Sequence, residues 1–336
     1  MKPIQPSEFE RNCADASGAP DAYVQPMIRT QMNRADWGVL VALALIWGGA
    51  FFFIHVAVHQ IPTLTYVWLR LTIAASALWL YVIWKGDPVG LPRSVWGAIV
   101  VLALLNNVIP FTLFGWGQTR IAVGLASILN ATTPIWGVVV AHLYTHDERM
   151  SPRKLAGVIL GFAGVALMIG PSILESLGGN TLAKLACVAA ALCYAVAGVW
   201  ARRFRKIGLP PVAVANGQLT AGALVMLPVA LLVDHPWHGP VPTLGGWAAI
   251  SALAVLCTAF AYILYFRLID RAGATNALLV TLLVPPVAIL LGALFLGETL
   301  APQNFVGLAL IALGLAAIDA RVLMIFSRTP RLRQAA

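Results

Sequence analysis

The stretch ASILNATTPIWGVVVAHL at residues 126–143, continued by DERMSPRKLAGVILGFAGVALMIG at residues 147–170, decides the architecture, because the chain carries a diverged second version of it. That version is LLVTLLVPPVAILLGALFLGETLAPQNFVGLALIALGLAAI at residues 278–318. Arg120, Ala126 and Pro134 recur as Arg271, Ala277 and Pro285, 151 positions on. After one gap, Glu148, Gly157, Leu160, Gly164 and Ala166 recur as Glu298, Gly307, Leu310, Gly314 and Ala316, 150 positions on. This period is far longer than the roughly 20 to 50 residues of solenoid repeats. Both versions are almost wholly apolar, which points to a duplicated membrane bundle.

Composition agrees. Of the 336 residues 60% are hydrophobic and 10% charged, against roughly 25% charged in a soluble domain. The net charge of +9 does not indicate a nucleic-acid partner, because the Lys and Arg residues sit in short clusters between apolar runs, where they orient helices. Cys13, Cys187, Cys193 and Cys257 have no CxxC spacing, so neither a disulfide framework nor a zinc knuckle is indicated.

Residues 1–35 are polar, carry Pro3, Pro6, Pro20 and Pro26, and read as a disordered cytoplasmic tail. Apolar runs follow, each near the roughly 20 residues that cross a bilayer. They are predicted at 36–58, 63–84, 94–114, 121–144, 152–171, 180–201, 211–233, 245–268, 273–296 and 302–323. The expected fold is therefore an all-α polytopic membrane protein of ten transmembrane helices. Its first five-helix repeat is 36–171 and its second 180–323, followed by a basic cytoplasmic tail at 324–336.

Loop charge sets the orientation. With the N-terminus cytoplasmic, the inner loops hold Lys85 and Arg93; Arg149, Arg153 and Lys154; Arg202, Arg203, Arg205 and Lys206; and Arg267 and Arg271. The outer loops hold only Arg120 and, at a helix start, Lys184. Both termini are thus expected to be cytoplasmic. An odd number of spans per repeat inverts the second copy, so equivalent loops should differ in charge. The loop at Asp147 to Lys154 is basic, whereas its counterpart at Glu298 to Gln303 has no Lys or Arg.

Together with LIWGGAFFFIHVAV at 45–58 and VWLRLTIAA at 67–75, the doubled Pro, Glu and Gly pattern resembles the drug/metabolite transporter superfamily, specifically its ten-helix EamA-type exporters. The resemblance spans about residues 36–323. It implies a bacterial cytoplasmic (inner) membrane transporter, usually an exporter of small metabolites, working by alternating access between two inverted halves.

Polar residues inside apolar spans are costly, so they mark candidate sites. Arg70 lies about two turns into the second span, with Gln218 as its repeat partner once Pro62 and Thr72 are set on Pro210 and Thr220. Around it the sequence places Trp47, Asn106, Asn107, Asn130, Tyr194, Asn216, Thr258, Tyr262 and Tyr265. Trp47 aligns with Tyr194, and Asn107 with Thr258. Aromatic walls with neutral amides suit a small zwitterionic or amphipathic solute, and Arg70 suits its carboxylate. The structural alternative is that Arg70 ties helix ends through carbonyls and that each amide is an interhelical bond. Gly157, Gly161, Gly164, Gly307 and Gly314 are read as packing residues. Pro134, Pro285 and Pro286 are read as kinks or cavity-lining breaks.

All acidic residues fall in the tail, in loops or near helix ends, so no midspan carboxylate carries protons. Glu148 and Glu298 read as carboxylates at helix starts. The pairs His55 with His59 and His142 with His146 have metal-compatible i, i+4 spacing but lie near interfaces, and neither a metal nor a cofactor is expected. The expected activity is export of amino acids or their derivatives, with a small-molecule substrate and the lipid bilayer as partners, the protein being a monomer or homodimer and not an enzyme. Two alternatives stay open. One is export of cationic or lipophilic drugs; the other is a membrane enzyme using His142, His146, Asp147 and Glu148.

Overall fold

The computed structural model describes residues 33–86, 90–144, 151–169, 179–272 and 280–318. Among these residues there is no strand, and the helices form ten rods. They are α1 (Arg34–Val58), α2 (Thr63–Lys85), α3 (Arg93–Gln118), α4 (Val123–Tyr144), α5 (Pro152–Ile169), α6 (Gly179–Lys206), α7 (Pro211–Asp234), α8 (244–272), α9 (Val280–Leu296) and α10 (Pro302–Ile318). Seven rods are long and apolar enough to cross a membrane, while α5, α9 and α10 are shorter apolar helices.

Three rods run at least four residues past their expected ends, α8 continuing to Ala272. α3 continues to Gln118, and the basic run Arg202 to Lys206, expected as a loop, is the last turn of α6. Cations there complement the negative end of the helix dipole. The Arg203 guanidinium lies 3.1 Å over the Trp200 ring, whose Nε1 donates to the Ala98 carbonyl at 3.0 Å. Pro134 stands just after a break in α4 at residues 131–132, whereas Pro285 and Pro286 lie within α9.

The rods pack by small residues, as expected where lipid supplies no hydrophobic drive between helices. α5 crosses α10 so closely that a Cβ on Gly164 would come 2.6 Å from the Gly307 carbonyl, and one on Gly314 would come 2.5 Å from that of Gly157. α2 packs on α7. α1 meets α9 and α8, as α6 meets α4 and α3; α2 meets α8 as α7 meets α3. Exchanging α1–α5 with α6–α10 leaves these pairs unchanged, whereas the contacts of α1 with α3 and α4 have no comparably close counterpart between α6 and α8 or α9.

Three rods carry a wide, π-type turn, at Leu104–Val108 in α3, Ala230–Asp234 at the end of α7 and Val255–Phe260 in α8. In α3 the cause is Pro110, which cannot donate to the carbonyl four residues back, so the backbone widens before it. In α8 the Thr258 hydroxyl donates to the Leu253 carbonyl at 2.9 Å, five residues back. The widened turns of α3 and α8 hold Asn107 and Thr258, the residues that the repeat sets opposite each other.

Candidate functional site

α2, α3, α7 and α8 bring their polar side chains together in two layers. In the first, Arg70 is 6% exposed. Its Nε donates to Thr258 Oγ1 at 3.1 Å, its Nη1 to the Tyr66 hydroxyl at 3.2 Å, and its guanidinium lies 3.5 Å from the centroid of Phe111. Every one of these partners is neutral. An arginine offers five N–H donors, and Nη2 has no partner among the described residues. The guanidinium is therefore fixed in place by uncharged groups with its charge still uncompensated.

The second layer lies one helical turn away, since Asn107 precedes Phe111 by four residues on α3 and Tyr262 follows Thr258 by four on α8. The amide Nδ2 of Asn106 donates to Gln218 Oε1 at 3.2 Å and to the Tyr262 hydroxyl at 3.3 Å; Asn107 Nδ2 donates to the same hydroxyl at 3.1 Å. Asn107 Oδ1 is sealed from solvent and unpartnered. A buried acceptor left open costs about 1–3 kcal/mol, so this atom is poised to receive a donor.

Aromatic rings close the sides. Trp47 and Tyr265 sit 5.2 Å apart, and Tyr194 stacks on Phe114 at 6.1 Å. Tyr194 packs against both of the larger apolar clusters, one centred on α1, α4 and α9 and the other on α2, α7 and α8.

Of the residues singled out in the sequence, Arg70, Thr258, Asn106, Asn107, Gln218 and Tyr262 are joined by direct bonds into these layers. Asn130 is not: it receives the Thr133 hydroxyl at the break in α4. Asn216 is 1% exposed and both its amide atoms are unpartnered. Tyr66 and Phe111 were missed in the sequence. The signal for both was helical spacing, since Tyr66 stands four residues before Arg70 and Phe111 four after Asn107.

Among the described residues no group of three or more His, Cys, Asp or Glu could hold a metal. His55 and His59 stack at 4.1 Å, with a 2.7 Å hydrogen bond between His59 Nδ1 and the His55 carbonyl. His146, Asp147 and Glu148 lie outside the described residues. Glu298 does sit at a helix start, but at that of α4, not of its own helix α10: its Oε1 accepts from the Val123 amide at 2.8 Å.

The family model of the EamA-like transporter family matches residues 36–170 and 181–318. The uncharacterized transporter YoaV of Bacillus subtilis is 26% identical over 282 residues, covering 82% of this chain and 94% of YoaV. The uncharacterized inner membrane transporter YedA of Escherichia coli K12 is 26% identical over 283 residues, covering 82% and 87%. A probable terminal-alkyne amino-acid exporter of Streptantibioticus cattleyicolor is 26% identical over 302 residues, covering 87% and 96%. A solved crystal structure with 19% identity superposes with a TM-score of 0.61 over 89% of this chain and 100% of its own, which shows a shared fold.

Proposed function

The chain belongs to the EamA-like transporter family, a multi-pass membrane protein like its relatives, and from that premise we propose that it exports small carboxylate-bearing metabolites, amino acids or their derivatives. The observation that carries this is Arg70, buried, held by Thr258, Tyr66 and Phe111, and uncompensated by any acidic group in its contacts. A charge at mid-depth with neutral neighbours is costly, and a substrate carboxylate relieves that cost by a charge-assisted bond. The second layer then meets the rest of the solute. Asn107 Oδ1 and the Asn216 amide offer open hydrogen-bonding atoms, and Trp47, Tyr194 and Tyr265 supply aromatic surface.

All ten rods cross the membrane in this reading, as two inverted five-helix repeats with both termini cytoplasmic, and the transporter sits in the bacterial inner membrane. The neighbour pattern that survives exchange of the two halves supports the repeat. The named amino-acid exporter among the relatives is consistent with the substrate class. Cationic drugs are disfavoured because Arg70 repels them. The test is counterflow in proteoliposomes over a panel of amino acids, amines and organic cations. Exchange confined to carboxylate-bearing solutes supports the assignment; exchange of cations alone refutes it.

A further inference from the structure

The junctions α1–α2, α3–α4, α7–α8 and α9–α10 share one end of the bundle. Gly115 near the end of α3 lies against Tyr66 and Thr63 at the start of α2, and a groove of about 430 Å³ between His59, Trp68, Pro236 and Trp247 joins the α1–α2 and α7–α8 junctions. At this rim the two halves of the chain are tied three times. Glu298 follows Gly297, whose φ of +65° turns the chain out of α9. Its carboxylate accepts from the Val123 amide at 2.8 Å and the Gly124 amide at 3.4 Å. Asp234 accepts from the Thr65 amide at 2.7 Å and the Thr65 hydroxyl at 3.0 Å. Gln60 Oε1 accepts from the Thr243 amide at 3.0 Å and the Thr243 hydroxyl at 2.7 Å.

The first amides of a helix have no partner in their own helix, and a local Ser, Thr, Asp or Asn usually caps them. Here α2 and α4 begin after Pro62 and Ala122, neither of which caps. Both starts are capped instead by a carboxylate from the other half of the chain, whose charge also suits the positive end of the helix dipole. Asp234 and Glu298 are the only acidic residues at this rim among the described residues. At the opposite end the cross-half bonds include Trp79 to Thr220 at 3.1 Å and Arg267 to Tyr81 at 3.3 Å, both exposed, and the part-buried Trp200 to the Ala98 carbonyl at 3.0 Å, all with neutral acceptors.

We propose that Glu298, Asp234 and the Gln60–Thr243 pair together form the gate at this rim, closed in the present structure, and that the transport cycle opens it by parting all three at once. The proposal rests on the alternating-access reading above. In that reading's orientation the rim faces the exterior, so the gate controls release of the exported solute. Water entering the open rim satisfies the uncapped amides of α2 and α4, so the contacts are reversible.

The test has two arms on the full chain in lipid nanodiscs or proteoliposomes. In the first, Gln60→Cys with Thr243→Cys is oxidised to a cross-link, with each single variant as control. Counterflow should fall at least tenfold and return on reduction; a cross-linked protein that transports at the reduced rate overturns the gate. The second arm needs no substrate, so it stands even if no solute of the panel is moved. In hydrogen exchange, Glu298→Gln should speed the Val123 and Gly124 amides about tenfold and speed Thr65, at the other carboxylate, with them. Asp234→Asn should give the reciprocal result, which covers the case that one variant does not fold. Acceleration confined to the amides that each carboxylate itself caps means independent structural caps and overturns the proposal.

Discussion

Arg70 on α2 and Gln218 on α7 occupy positions that the repeat sets opposite each other, on two rods that pack together, and both are buried. One is a cation and the other a neutral amide. Their surroundings correspond, with Asn107 and Thr258 each in a widened turn of the adjacent rod. Gln218 is bonded to Asn106, whereas Arg70 keeps part of its bonding capacity open. At these positions the backbone corresponds and the chemistry does not. In the proposed function a solute at this seam would meet a cation on the α2 side and an amide surface on the α7 side, which would orient it.

Making the two sides alike should erase the selectivity. Arg70→Gln copies the α7 side onto α2, and transport of carboxylate-bearing solutes should drop about 100-fold or more in kcat/KM, since a lost buried charge contact costs about 2–5 kcal/mol. Counterflow rates measure it; an undiminished rate would make Arg70 purely structural. Thr258→Val leaves the Arg70 Nε without its acceptor, at a cost of about 1–3 kcal/mol, and should raise KM about tenfold while the protein still folds. Phe111→Leu removes the ring beneath the guanidinium. With a cation–π contact worth about 0.5–2 kcal/mol, KM should rise about two- to thirtyfold, less than for Arg70→Gln.

Changes on the neutral side should show in stability more than in affinity. Tyr262→Phe removes the hydroxyl that accepts from both Asn106 and Asn107, and at about 1 kcal/mol per bond the melting temperature in detergent should fall by a few degrees. The smallest effect belongs to Asn130→Ala, whose bonds are local to the break in α4: transport should change less than twofold. A large loss there would extend the site into α4.

The frame was legible in the sequence because membrane insertion leaves coarse signals. Long apolar runs and glycines at matched spacing survived into rods and close crossings, as with Gly164 against Gly307. Arg70 was legible because a charge within an apolar run has few bland explanations. Tyr66 and Phe111 were not, since an aromatic residue in such a run reads as ordinary packing. Glu298 was expected at a helix start, but which helix it caps depends on how distant segments meet, and no local pattern encodes that. Asp234 was overlooked for the same reason: its partner Thr65 lies in the other half of the chain.

The most direct measurement is equilibrium binding of a carboxylate-bearing amino acid and of the matching amine to the purified chain in nanodiscs, for the natural protein and Arg70→Gln side by side. The account predicts that the natural protein prefers the amino acid and that the variant loses this preference by about 100-fold while melting at a similar temperature. Equal binding of the amino acid by both proteins would contradict it.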